Sequence, residues 1–180
     1  MPLITPAELA TKLQRTIADD VAQQACDLAS AQVQALTKQT LVQASHVEHV
    51  ELDVLVVDGV MRAVTPLWQR PVVAVDTVTV AGVDLYEDAW WWEPSLDLVV
   101  LADATTSRAT IEYTAGYDPI PGDLKAVALM FAAAEVANPT GVVSESLGDY
   151  SVTWSDKATT ARIDMILGSY RRRAGTIRLG

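Results

Sequence analysis

The amino-acid sequence predicts an α+β fold in which helices flank a central β-rich module. Apolar residues recur at helical spacing through about residue 38 and again from about residue 124, whereas between about residues 47 and 114 they alternate with polar ones. The expected order is an N-terminal helix pair, an antiparallel β-rich module, two further helices and an extended basic tail. We expect one domain over residues 1–180, with 47–114 as an inserted β-rich module and 171–180 as a C-terminal arm.

Two helices are predicted at the N-terminus. Thr5 and Glu8 have the spacing of a capping box, in which each side chain bonds the other residue's backbone N–H. Asp19 and Asp20 suit the cap of a second helix that runs to about Lys38. One continuous helix that bends at the Asp pair is the alternative.

The middle of the chain has the period of two that is typical of strands. The apolar positions that define it are Val50, Leu52, Val54 and Val56, and a further strand is expected through Val73, Val75, Val78 and Val80. Asp58-Gly59 offers a tight turn between two strands. Two more strands are expected over residues 96–101 and 109–114, so we predict a small antiparallel sheet or a barrel-like module.

Two helices are predicted after the β-rich module. The first ends at Asn138, because Pro139 cannot continue the helical hydrogen bonds. Residues 144–154 are expected to form a loop that leads into a short strand, and the last helix carries Ile163, Leu167 and Tyr170 on one face.

Charge is distributed unevenly along the chain. The net charge is −10, from 13 basic and 23 acidic residues, and the last ten residues hold four arginines and no acid. The remaining 170 residues therefore carry a net charge of −14. An acidic body repels free nucleic acid and anionic lipid over most of its surface. The basic end is either a solvated terminus or a binding arm.

The sequence contains few of the residue patterns that are typical of catalytic or metal sites. His46 and His49 flank Glu48 and could suggest a metal pair, but they are the only two histidines, and we interpret them as solvated linker residues. Cys26, the single cysteine, lies at a core-facing helical position and is typical of a reduced, inert thiol. No nucleophile elbow or phosphate-binding loop is present. We predict no enzymatic activity and no cofactor; a small hydrolase using His46 or His49 is the competing hypothesis.

Three consecutive tryptophans, Trp90, Trp91 and Trp92, cannot all face one core if they lie on a strand, because neighbouring side chains point to opposite faces. At least one indole is therefore expected to face solvent or a partner. The cluster fits packing against the core or a protein interface, and a carbohydrate-binding module is the alternative from another functional class.

Several segments in a fixed order resemble one family. They are the Asp19-Asp20 pair with the small residues 25–31, RPVVAVDTVTVAGV (residues 70–83), YTAGYDPIPGDLKAV (113–127), NPTGVVSESLGDYSVTW (138–154) and YRRRAGTIRL (170–179). In order and spacing the chain resembles the β-containing members of the head-tail connector, or adaptor, family of long-tailed bacteriophages. Residues 47–67 and the triple tryptophan fit that pattern less well.

The resemblance implies a structural virion protein that assembles in the bacterial host cytoplasm as a ring of about twelve copies under the portal. It implies contacts with the portal and with a downstream neck or tail protein, and no membrane. Viral DNA would pass through the ring without sequence-specific binding. A neck stopper or tail-completion protein is the nearest alternative.

The resemblance also assigns residues to roles. The portal-binding arm would consist of Arg171, Arg172, Arg173, Thr176, Ile177, Arg178 and Leu179, since arginines pair with carboxylates and a short extended arm can add to a sheet edge. In a ring, the acids Glu145, Asp149 and Asp156 would line the channel; otherwise they are a solvated acidic loop. Acidic walls would keep a passing phosphate backbone from adhering.

Overall fold

The chain divides into two compact units, one helical and one built of strands. The computed structural model describes residues 2–57, 59–103, 105–138, 144–147, 150–153 and 157–171. The helical unit comprises residues 1–39 and 119–171, and the β unit comprises residues 40–118. The predicted α+β class is confirmed, with four helices and three antiparallel sheets in the described residues.

Helices α1 (Pro6–Leu13) and α2 (Asp19–Thr37) open the helical unit. The capping box is confirmed, because the Glu8 backbone N–H donates to Thr5 Oγ1 and Glu8 Oε2 accepts from the Thr5 N–H at 2.7 Å. The α1 C-cap is left-handed, so the continuous bent helix is wrong. The capping role given to the Asp pair is also wrong: the N-cap is Ala18, and both acids lie in the first turn, where their charge favours the helix dipole.

Helices α3 (Gly122–Ala137) and α4 (Lys157–Tyr170) complete the helical unit. Helix α3 packs against α1, α2 and α4. Lys125 Nζ lies 2.8 Å from Glu8 Oε1 and joins α3 to α1, while the Tyr170 hydroxyl donates to Asp123 at the start of α3. Between the two helices, the expected loop over residues 144–154 is instead a hairpin of β9 (Ser144–Leu147) and β10 (Tyr150–Thr153), because Leu147 pairs directly with Tyr150.

Eight strands form the described part of the β unit. In chain order they are β1 (Ala44–Glu51), β2 (Asp53–Val57), β3 (Val60–Pro66), β4 (Val72–Val80), β5 (Val83–Asp84), β6 (Trp90–Glu93), β7 (Leu98–Leu101) and β8 (Arg108–Ala115). The first sheet has the order β1-β8-β4-β5 and the second β2-β3-β7-β6, with every pair antiparallel. β1 leads almost directly into β2, so the chain crosses from one sheet to the other at Leu52.

The two sheets pack face to face around one core. Val78, Ile111 and Tyr113 of the first sheet and Ala63 and Val99 of the second are all fully buried in the same cluster. The β-rich module is therefore a small sandwich, in which alternate residues of each strand face inward. No helix among the described residues is long and apolar enough to cross a membrane.

Candidate interaction surfaces

The predicted arm begins at the last described residue. Arg171 Nε donates to the Leu36 carbonyl at 3.2 Å, and Arg171 Nη2 lies 3.0 Å from Asp164 Oδ1. Both contacts lie within the helical unit, so Arg171 ties the end of α4 to the end of α2. The other six arm residues lie outside the described residues: Arg172, Arg173, Thr176, Ile177, Arg178 and Leu179.

The three candidate channel acids are only partly described. Glu145 lies on β9, which pairs with β10. Asp149 and Asp156 lie outside the described residues.

The triple tryptophan lies on β6, and its side chains alternate as expected. Trp90 and Trp92 pack against the sandwich core. Trp91 points to the other face of the sheet and is 37 % exposed. The Arg62 guanidinium carbon lies 5.4 Å from the Trp91 ring centroid, within cation–π range. One indole of the three is therefore presented to the surface.

The two histidines lie on β1, so the interpretation of them as linker residues is wrong. They are three residues apart on a strand, so their side chains lie on opposite faces. The His46 ring lies against Tyr113, with centroids 5.6 Å apart, while His49 Nδ1 lies 2.9 Å from Thr110 Oγ1. Among the described residues no group of three or more His, Cys, Asp or Glu side chains is placed to hold a metal ion.

A hydrogen-bond network that the sequence did not predict surrounds Glu48, on the inward-facing side of β1. The Tyr113 hydroxyl donates to Glu48 Oε1, and burial together with this bond raises the Tyr113 pKa. The same hydroxyl accepts from the Gln69 backbone N–H at 2.9 Å. The Trp68 backbone N–H donates to the Glu48 carboxylate at 3.1 Å. Two side chains that are 65 residues apart in sequence thus fix the loop that follows β3.

The fixed loop presents Trp68 at the surface. The Trp68 side chain is 47 % exposed, and Leu67 beside it is fully buried. A shallow groove runs between β1 and the end of β3. Its lining is mixed: the apolar residues are Val47, Val50, Pro66 and Trp68, and the polar ones are Glu48, His49, Glu51 and Thr65. β1 is an edge strand, because in its sheet it pairs only with β8. This surface, called the Trp68 groove below, has the properties of a binding site for an extended segment.

The β2–β3 hairpin exposes the densest group of apolar side chains in the described residues. Val56 is 62 % exposed, Met61 61 %, Val60 49 % and Val54 44 %. β7 pairs with β3 only from Ala63 onward, so the distal part of the hairpin has two strands and no third. Residues 55–57 and 59–62, called the hairpin tip below, therefore extend beyond the four-stranded sheet.

Helix α3 is apolar on nearly all of its surface, but the subunit buries one face. Leu124, Val127, Ala128 and Ala132 are fully buried. Its only charged residues are Asp123, Lys125 and Glu135. Leu129, Met130 and Ala133 are partly exposed, and Ala126, Ala134 and Ala137 are exposed. A helix that is apolar all round is normally buried all round, so α3 has an apolar face that the subunit leaves partly uncovered.

No protein-family model and no curated protein matches the chain. Nine chains of solved structures do match in fold, among them three chains of gene transfer agent particles. A chain in the neck of the empty gene transfer agent (GTA) particle, computed with C6 symmetry, superposes with a TM-score of 0.54 at 16 % identity, covering 98 % of this chain and 91 % of that one. A chain in the neck of the native GTA particle, computed with C12 symmetry, gives 0.55 at 15 % identity, with 96 % and 88 % covered. A chain in the virion of the native particle gives 0.54 at 14 %, with 98 % and 91 % covered. The chain therefore shares its fold, over nearly its whole length, with chains of these particles.

Proposed function

We propose that this chain is a structural subunit of the neck of a phage-like virion, where about twelve copies form a ring between the portal and the tail. The observation that carries the proposal is the fold shared with chains from GTA necks computed with C6 and C12 symmetry. The match covers both units, so it does not depend on one common helical or β motif.

Helix α3 supplies a physical reason for ring formation. Its buried face packs inside the subunit, and its Leu129, Met130 and Ala134 remain for a neighbour. Side-by-side packing in a ring covers such a face on every copy, because each subunit then has a neighbour on both sides. The many alanines of α3 allow close approach of the neighbouring helix.

The arm, residues 171–179, would bind the portal. Arg171 is held by Asp164 and the Leu36 carbonyl, so it fixes the point at which the arm leaves α4. Arg172, Arg173 and Arg178 would pair with portal carboxylates, and residues 176–179 would extend along a sheet edge of the portal.

Within the ring, DNA would pass without sequence-specific contacts. Glu145, Asp149 and Asp156 would line the channel and keep the phosphate backbone from adhering. Trp90, Trp91 and Trp92 would contribute to an interface, with Trp91 as the exposed member. Trp90 and Trp92 are partly buried and pack against the core on the face opposite Trp91, so the three indoles do not form one row on which a sugar could stack, which argues against a carbohydrate platform.

The test is electron cryo-microscopy of the purified protein with and without its portal. A ring seated on the portal supports the adaptor role, whereas a ring found only further along the neck indicates a stopper or tail-completion protein. A protein that stays monomeric beside a correctly assembled portal refutes the proposal.

A deletion tests the arm separately. Removing residues 172–180 keeps the Arg171 contacts and is expected to abolish capture by the portal, while the thermal midpoint stays unchanged. Removing Gly180 alone is the matched control and should leave capture intact. If the protein that lacks residues 172–180 is captured by the portal as well as the full chain is, the arm does not bind the portal.

A further inference from the structure

We propose that the hairpin tip of one subunit docks into the Trp68 groove of the next subunit. The inference rests on the proposed ring and adds a specific contact to it, made by the β unit. The occupant of the groove is a second copy of this chain.

The hairpin tip has the chemistry of an inserted element. Val56 and Met61 are cross-strand partners on one face, and Val57 and Val60 are partners on the other. The Val56–Met61 face is exposed; on the other face Val60 is 49 % exposed, whereas Val57 packs against the cluster of Val64, Leu98 and Val100. A two-stranded hairpin in water is at best marginally stable. Arg62, the nearest described basic residue, is engaged by the Ala102 carbonyl at 2.9 Å and by the Trp91 ring. Insertion into a neighbour would cover the exposed side chains of Val56, Val60 and Met61.

The Trp68 groove is rigid before anything binds it. The Leu67 N–H donates to the Asp97 carbonyl at 3.1 Å, and the Thr40 N–H donates to Gln69 Oε1 at 2.7 Å. Together with the bonds of Glu48 and Tyr113, these contacts hold both sides of Trp68. An exposed tryptophan on a fixed backbone loses little entropy on binding, and such residues commonly dominate the affinity of an interface.

The two surfaces lie at opposite ends of strand β3. The hairpin tip begins β3 at Val60, and the strand ends at Pro66, beside Trp68. The hairpin tip extends to Arg62, so four residue steps, or about 13 Å along a strand, separate it from Pro66. Surfaces at opposite ends of one strand cannot meet within a subunit. They can meet head to tail between copies, and a head-to-tail contact closes into a ring when the rotation between copies allows it.

Cysteine cross-linking tests the contact in the full-length protein. Met61→Cys would be mixed with Val47→Cys, which lies in the groove and leaves Trp68 in place. Native Cys26, the single cysteine, is fully buried and should not react. The expected product with a short bismaleimide is a covalent dimer that neither variant forms alone. Adding Trp68→Ala to the Val47→Cys chain is expected to reduce its yield by about tenfold or more.

Val83→Cys is the matched control, because Val83 is a valine of the same unit and is 66 % exposed, against 58 % for Val47. Equal cross-linking of Met61→Cys to Val83→Cys and to Val47→Cys would refute the contact. The absence of the Met61–Val47 product in samples that show rings by electron microscopy would refute the contact and leave the proposed function standing. If no rings form with the portal, both the proposed function and this contact are wrong.

Discussion

Replacing Tyr113 with phenylalanine tests the network that fixes the Trp68 loop. The change keeps the ring in the core and removes one hydroxyl, which donates to Glu48 and accepts from the Gln69 N–H. A hydrogen bond to a charged group contributes roughly 1.5–3 kcal/mol and a neutral one about 1 kcal/mol. Because Tyr113 is fully buried, water cannot replace either bond without rearrangement. We therefore expect a loss of about 3 kcal/mol in the free energy of unfolding.

Urea denaturation followed by tryptophan fluorescence measures this loss. Four of the five tryptophans lie in residues 68–92, so the signal reports mainly on the β unit. Tyr86→Phe is the matched control, because Tyr86 is 84 % exposed; its free energy of unfolding should change by less than about 0.5 kcal/mol. Equal stability of the Tyr113→Phe and Tyr86→Phe proteins would refute the role given to the hydroxyl.

The same pair of variants has a predicted pH dependence. Burial raises the Tyr113 pKa in the folded protein, so above about pH 10 the unfolded chain loses this proton before the folded one does. The Tyr113 contribution is therefore fully present below that pH and is lost as the pH rises above it. The wild-type protein should lose stability between about pH 10 and 11 more steeply than Tyr113→Phe. Parallel curves would contradict the assignment.

Three further predictions concern the rest of the chain. The hydrogen bond from Lys125 lowers the Glu8 pKa, so the contribution of Glu8 to the free energy of unfolding is present above about pH 4.5 and is lost on acidification. Glu8→Gln should reduce that free energy by about 0.5–1 kcal/mol at neutral pH, since the Glu8 and Lys125 side chains are both about one-third exposed. Equal acid sensitivity of variant and wild type would contradict this. Gly116→Ala should lower the free energy of unfolding, measured in urea, by more than about 3 kcal/mol, because the new Cβ would lie 2.7 Å from backbone atoms. Gly82 is also at positive φ but faces open space, so Gly82→Ala should lower it by about 1 kcal/mol. Similar losses in the two variants would disprove the steric explanation. Burial raises the Cys26 pKa, so its thiol should react with Ellman's reagent only after unfolding, and rapid reaction in the native protein would place it at the surface.

The parts of the fold that follow local rules were predictable from the sequence. The capping box of Thr5 and Glu8 involves residues three apart, so the motif alone specifies its two bonds. The alternation of Trp90, Trp91 and Trp92 likewise follows from strand geometry. The end of α3 before Pro139 needs only the chemistry of proline. Each of these predictions uses a constraint that acts within one turn or one strand.

The Trp68 groove was not predictable in the same way. Glu48 lies between two histidines, where composition and spacing suggested a solvated linker, and its partner Tyr113 is 65 residues away. The pairing of β1 with β8 brings them together, and a pattern of alternating residues does not specify which strand pairs with which. The only local signal was the inward position of Glu48 in an alternating strand, which requires a partner for the carboxylate.

A surface that binds another copy of the chain is harder to recognise in a sequence than a catalytic site is. Val56 and Val78 are the same residue type in similar alternating strands, yet Val56 is 62 % exposed and Val78 is fully buried. The difference arises because the second sheet covers Val78, whereas the hairpin tip extends beyond β7 and leaves Val56 in solvent. Sequence patterning encodes which residues require burial; the fold determines which of them the single subunit fails to bury. At the hairpin tip the subunit leaves Val56, Val60 and Met61 exposed, and the proposed contact between copies would bury them.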